Sequence, residues 1–126
     1  MTPFGARVRE LRKAKGVTQA DMAAALGVSG AYLSALEHGR RGRPSWYLLQ
    51  RMIGYLGIIW DEAEELERLA DLSHPRITVE TGGLSPEATL LANRLADGIG
   101  RLTADEIERI MAILDAAPGT GKRETS

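Results

Sequence analysis

The 126-residue sequence contains no cysteine, one phenylalanine and two histidines, and each shortage removes a class of function. Without cysteine there is no disulfide, no thiol nucleophile and no thiolate zinc site. With Phe once, Tyr three times and Trp twice, there is little from which to build an aromatic ligand cage, so neither an effector pocket nor a cofactor is expected. His74 lies beside Pro75 and only His38 could join it, which makes it an incidental loop residue rather than a metal ligand. Ser29 and Ser34 have no histidine patterned as a base, no catalytic constellation emerges, and the chain is not expected to be an enzyme. No apolar run approaches a membrane span and the N-terminus is charged rather than signal-like, so the cytoplasm is the expected compartment and no membrane contact is expected.

What is present is an ordinary globular composition, 44% hydrophobic and 26% charged, with length for one full core and a smaller appendage. The formal net charge of −1 conceals a division. Residues 1–45 hold eight Lys or Arg against three acids, a net of +5, and residues 46–126 hold eight against fourteen, a net of −6. Only the first part suits a polyanion.

Within that basic part, residues 17–39, VTQADMAAALGVSGAYLSALEHG, outline two short helices joined by a glycine turn, a helix-turn-helix. Thr18 caps the first helix, with Val17 and Met22 as a hydrophobic staple and the amide of Gln19 free in the first turn. Gly27 supplies a position that tolerates positive φ, and Ser29 caps the second helix with Val28 and Leu33 as its staple. Ala23 is small where two helices cross closely, Leu33 and Leu36 face one core, and Gly39 closes the second helix.

The longer stretch GARVRELRKAKGVTQADMAAALGVSGAYLSALEHGRRGRPSWYLLQRMIGYLGI resembles the Cro and phage-repressor helix-turn-helix family, also called the xenobiotic response element family. The segments LRxxKGxTQ, LGVSxxYLSxLExGRR and PSxxLL follow one another at that family's spacing. The resemblance implies a five-helix repressor-like domain that binds double-stranded DNA, usually as a dimer. It implies that Gly30, Ala31, Ser34 and Ala35 of the recognition helix approach base edges, with Ser29 at its start and Tyr32 near the sugar-phosphate rim. Gln19 then anchors on phosphate, and His38, Arg40, Arg41 and Arg43 lie where the family approaches phosphates. It also implies that Arg12 pairs with Glu37, clamping the motif to the domain body. Gly30 and Ala31 stand where many relatives carry long polar side chains, so direct base readout is expected to be sparse.

The flanking residues supply the other helices. The first runs from about Phe4 to Ala14 with Val8 and Leu11 inward, and a fourth starts near Ser45, after Pro44, with Leu48, Leu49, Met52, Ile53 and Leu56 as a core stripe ending at Gly57. WDEAEELERLADL, residues 60–72, makes a fifth helix with Trp60, Ala63, Leu66 and Leu69 on one face. Its acidic face reads as solvated, with a protein partner as the alternative occupant. The expected DNA-binding domain therefore spans residues 1–72. Residues 73–84 form a linker in which Ile77 and Val79 alternate with polar residues as a short strand, able to pair across a dimer.

Beyond the linker, residues 85–116 read as a helical hairpin. Ser85 caps a helix with Pro86 first in it and Ala88, Leu91, Ala92, Leu95 and Ile99 in a stripe; Gly98 and Gly100 loosen its end. Thr103 and Glu106 form a capping box, with Leu102 and Ile107 as a staple and Ile107, Ile110, Met111 and Leu114 as a second stripe. Two such helices cannot bury both stripes alone. Leu91, Leu95, Ile99, Ile107, Ile110 and Leu114 are therefore expected at a dimer interface, with four helices from two chains forming a bundle and packing within one chain as the alternative. Residues 117–126 read as a disordered polar tail. AAPGTGK, ending at Lys122, imitates a phosphate-binding loop, but Arg123 stands where Ser or Thr should hold magnesium and no strand precedes it. The whole is an all-α chain, expected to be a transcriptional repressor acting as a homodimer on a pseudo-palindromic operator. An antitoxin that represses its own operon and an adaptor without a DNA role are the alternatives.

Overall fold

The computed structural model describes residues 1–118, and these are helical with no strand among them. Two compact units separate at the linker, one spanning Met1–Thr78 and the other beginning at Val79. The first holds five helices, α1 (Pro3–Lys15), α2 (Gln19–Leu26), α3 (Gly30–Glu37), α4 (Trp46–Leu56) and α5 (Trp60–Asp71).

Local chemistry starts and stops these helices. Thr2, Ser29 and Ser45 each cap a helix, their hydroxyls accepting from the N–H groups of Gly5, Tyr32 and Leu48. Thr18 and Asp21 cap α2 reciprocally, each side chain accepting from the other's N–H at 3.0 Å, a box that the Thr18 cap alone did not reveal. Gly27 ends α2 at φ +72, the left-handed conformation that lets the chain turn directly into α3.

The apolar positions of all five helices meet in one core. Phe4, Val8, Met22, Leu33, Leu36, Leu49, Met52 and Leu66 are fully buried, with Ala23, Leu26, Ile53, Leu56 and Ala70 around them and Leu11 partly buried against them. Burial of each large side chain contributes about 1.5–3 kcal/mol before chain entropy is counted. Gly5 permits the tightest crossing in this core: a Cβ there would overlap the backbone of Glu37, so α1 and the end of α3 touch through main chain.

The fifth helix corrects one expectation. Trp60 does not share the inward face; it is 79% exposed, at φ +51, and Leu66 and Ala70 make the buried line. Ile58, just before the extended Ile59, enters the core in its place, so the aromatic ring turns outward at the helix start. Ser73 after α5 is buried: its hydroxyl accepts from the Phe4 N–H at 2.9 Å and donates to the Leu69 carbonyl, joining the ends of the domain. Ile77 and Val79 are exposed and in no strand, because a ladder needs a second strand and none is present beside them.

The second unit contains α6 (Pro86–Gly98), a 3₁₀ turn (Ile99–Arg101) at the glycines, and α7 (Ala104–Ala116). Ser85 caps α6, and Thr103 with Glu106 forms the expected capping box on α7. No residue of either helix is buried. The expected tail and its imitation of a phosphate loop lie largely outside the described residues.

Candidate nucleic-acid interface

The end of α3 is held by a charged lock. Arg12 donates from Nε and Nη2 to the two carboxylate oxygens of Glu37, each at 3.3 Å, and the Glu37 side chain is 1% exposed. The Glu37 carbonyl also accepts from the N–H and hydroxyl of Thr2. Such a bidentate pair fixes orientation as well as position. The pairing inferred from resemblance is therefore present.

Gln19 departs from its expected role in one respect. Its Nε2 donates to Glu37 Oε1 at 3.2 Å, so the amide is not free but belongs to the same lock. The first turn of α2 faces the end of α3, which brings the side chain within reach of the carboxylate. Its Oε1 keeps no partner among the described residues.

With Leu33 and Leu36 inward, α3 turns a small-residue face outward. Gly30 and Ala31 are exposed, and Tyr32, Ser34 and Ala35 are partly so. The Ser29 hydroxyl is engaged in the cap. His38 is exposed, and its Nδ1 lies 2.9 Å from the Ser34 carbonyl, which can only accept; the ring therefore donates from Nδ1, and Nε2 has no partner among the described residues.

The loop after α3 carries three arginines in three environments. Arg40 is exposed, without an ion pair among the described residues. Arg41 lies with its guanidinium 5.3 Å from the centroid of the Tyr32 ring, a cation–π arrangement. Arg43, expected to face phosphate, donates its Nε to Asp71 at the end of α5 at 2.6 Å, while its terminal nitrogens make no hydrogen bond among the described residues. Sequence spacing gives no hint of that pair, whose members lie 28 residues apart.

Two supporting contacts also escape the sequence. Arg51 of α4 donates to the carbonyl of Leu26 at 2.7 Å and of Ala25 at 3.4 Å, satisfying the end of α2 beside the turn, with Tyr47 under its guanidinium. Arg7 of α1 pairs with Glu10, Glu62 and Glu65, so part of the acidic face of α5 is neutralised within the chain. Near the interface, the Asp21 carboxyl is held below its ordinary range, first by the Thr18 N–H and then by the Thr18 hydroxyl. The first unit thus gathers Gln19, Ser34 and His38 along one groove beside α3, and the arginine loop follows that helix in the chain. In the second unit, Leu91, Leu95, Ile99, Ile107 and Leu114 are exposed and Ile110 is partly so.

Comparison with known proteins agrees with this geometry. A family model described as a helix-turn-helix domain matches residues 3–74. The HTH-type transcriptional regulator DdrOP3 of Deinococcus deserti is 36% identical over 110 residues, covering 85% of this chain and 77% of that protein. YazB, an uncharacterized HTH-type transcriptional regulator of Bacillus subtilis, is 40% identical over 65 residues, 52% of this chain and 93% of its own. RghRB of the same organism, described in the same way, is 34% identical over 61 residues, 48% of this chain and only 44% of that protein. No solved structure matches.

Proposed function

Because this chain belongs to the helix-turn-helix family of DNA-binding transcriptional regulators, we propose that it is a repressor that binds a pseudo-palindromic operator as a homodimer. The observation that carries the DNA reading is the outward face of α3, locked at its end through Arg12 and Glu37 and followed by the Arg40, Arg41 and Arg43 loop. A helix held this way presents a rigid edge to the major groove, and arginines beside it supply phosphate contacts without sequence preference.

In this reading, Ala31 meets a thymine methyl and Ser34 bonds to a donor or acceptor on a base edge. Gln19 reaches phosphate from the Arg12–Glu37 lock, and Tyr32 steers Arg41 toward the sugar-phosphate rim. With Gly30 and Ala31 so short, much of the discrimination comes from groove shape, half-site spacing and water. No catalytic step is assigned to any residue.

The homodimer rests on the two apolar stripes of α6 and α7, which leave Leu91, Ile99 and Leu114 more than half exposed. Two such pairs of helices, one from each chain, can bury their stripes as a four-helix bundle. Recognition helices related by a twofold axis then meet major grooves about 34 Å apart, one helical turn, or a multiple of it. The acidic face of α5 is a weaker candidate for a protein partner, since Glu62, Glu65 and Asp71 already pair within the chain.

Selection of duplexes from a random pool tests the reading. Wild-type protein should enrich an inverted repeat, Ser34→Ala should change the preferred base at one position per half-site, and Arg43→Ala should weaken all sequences alike. Sedimentation of wild type against Ile110→Asp tests the dimer: a wild-type monomer at micromolar concentration, or a variant that stays fully dimeric, removes α6 and α7 from the interface.

A further inference from the structure

The cations of α1 divide into those with partners in the chain and those without. Arg7 binds three acids, Arg12 is locked to Glu37, and Lys15 lies over the ring of Tyr55. Arg9 and Lys13 are exposed, with no acidic partner among the described residues, and they share one helix face at i,i+4 spacing. Both line a single open groove whose other wall is Ser34 and His38 of α3 and whose floor includes Gln19 and the Arg12–Glu37 pair. The unpartnered cations of the helix therefore face the helix assigned to the major groove.

We propose that this groove seats the sugar-phosphate backbone of one DNA strand, with Arg9 and Lys13 as phosphate donors on the side of α3 formed by α1. The inference rests on the DNA reading above and extends it to a helix that lies outside the helix-turn-helix. A strand that puts a phosphate at Gln19 while Ser34 meets a base edge must cross the groove that these residues share. Unpaired cations at its edge then meet the polyanion directly. One turn of helix separates Arg9 from Lys13, about 5–6 Å between Cβ atoms, so the two address the same or neighbouring phosphates. Their contribution is positional and independent of sequence, because phosphate contacts carry no base information.

The test uses the full chain with a duplex that it selects from a random pool, titrated across a salt series. Each lost phosphate contact lowers the slope of log K against log salt by about 0.9, so Arg9→Ala/Lys13→Ala should reduce the slope by about 1.8 and the affinity by on the order of tenfold or more. The selected consensus and the helical circular dichroism should stay as in wild type, and Arg9→Lys alone should retain the slope. Arg43→Ala serves as the reference. If it lowers the slope while the double variant leaves slope and affinity unchanged, the groove takes some other occupant, such as an acidic protein segment, and the proposal falls while the DNA reading stands. If wild type binds no duplex, both fall.

Discussion

Arg43, in the loop after the recognition helix, and Asp71, the last residue of α5, are joined at 2.6 Å between Nε and Oδ1. The bond ties the loop to the far end of the domain. It also holds the guanidinium through Nε alone, and the terminal nitrogens have no partner among the described residues.

Both partners are partly solvent-exposed, so the bond adds little to folding. Asp71→Ala should change unfolding free energy by no more than about 1 kcal/mol. Arg43→Ala should likewise leave the fold intact while lowering the salt slope of DNA binding by about 0.9. Urea unfolding and fluorescence anisotropy on the same variants separate the two effects. A loss of several kcal/mol in Asp71→Ala would make the pair a structural anchor instead.

The Arg12–Glu37 pair should behave oppositely. Removing the carboxylate leaves the largely buried guanidinium unpaired and Gln19 without its acceptor, so Glu37→Ala should cost about 3–5 kcal/mol. Replacing both charges with apolar side chains, as in Arg12→Met/Glu37→Leu, should restore much of that loss. Denaturant midpoints at constant m would measure it; a double variant worse than Glu37→Ala would contradict the desolvation argument.

Gly5 offers a test with no charge involved. A methyl group there must displace the main chain of Glu37, and α1 cannot move aside without opening the core around Phe4 and Val8. Gly5→Ala should destabilise by at least about 1–3 kcal/mol despite its higher helix propensity. Gly30→Ala, which meets nothing within 4 Å, is the control and should be neutral or slightly stabilising.

The α2 cap predicts a pH dependence. Asp21 is held below its ordinary value of 3.8 in the folded chain, so its contribution is complete above that value and declines as pH falls through the lowered folded one. The stability difference between wild type and Asp21→Asn should therefore be constant near neutrality and shrink in acid. Urea titrations from neutral pH to strongly acidic pH would follow it; a difference that persists unchanged would detach the cap from the titration.

Much of this arrangement is legible in the chain because it is local. Caps at Thr18, Ser29, Ser45, Ser85 and Thr103, and stripes such as Leu48, Leu49 and Met52, depend on neighbours three or four residues away. The Arg12–Glu37 pair was accessible through resemblance. Arg43–Asp71, Arg51 on the end of α2 and the Gly5 crossing join distant residues through tertiary geometry, and periodicity carries no record of them. Trp60 misled for a different reason: steps of three residues drift around a helix, so Trp60 lies about 120° from Leu66, and Ile58, before the helix, enters the core instead.

The bond between Phe4 and Ser73 spans 69 residues and closes the first domain on itself. On the ribosome, α1 emerges before α5, so its packing against that helix and its anchor at Ser73 arrive late. At about 5–20 residues per second, the interval is roughly 3–14 s. For that time Phe4 and Val8 lack part of their final cover, and the DNA-facing helix lacks a finished scaffold. A nascent chain gains its completed domain only after the start of the linker has been synthesised.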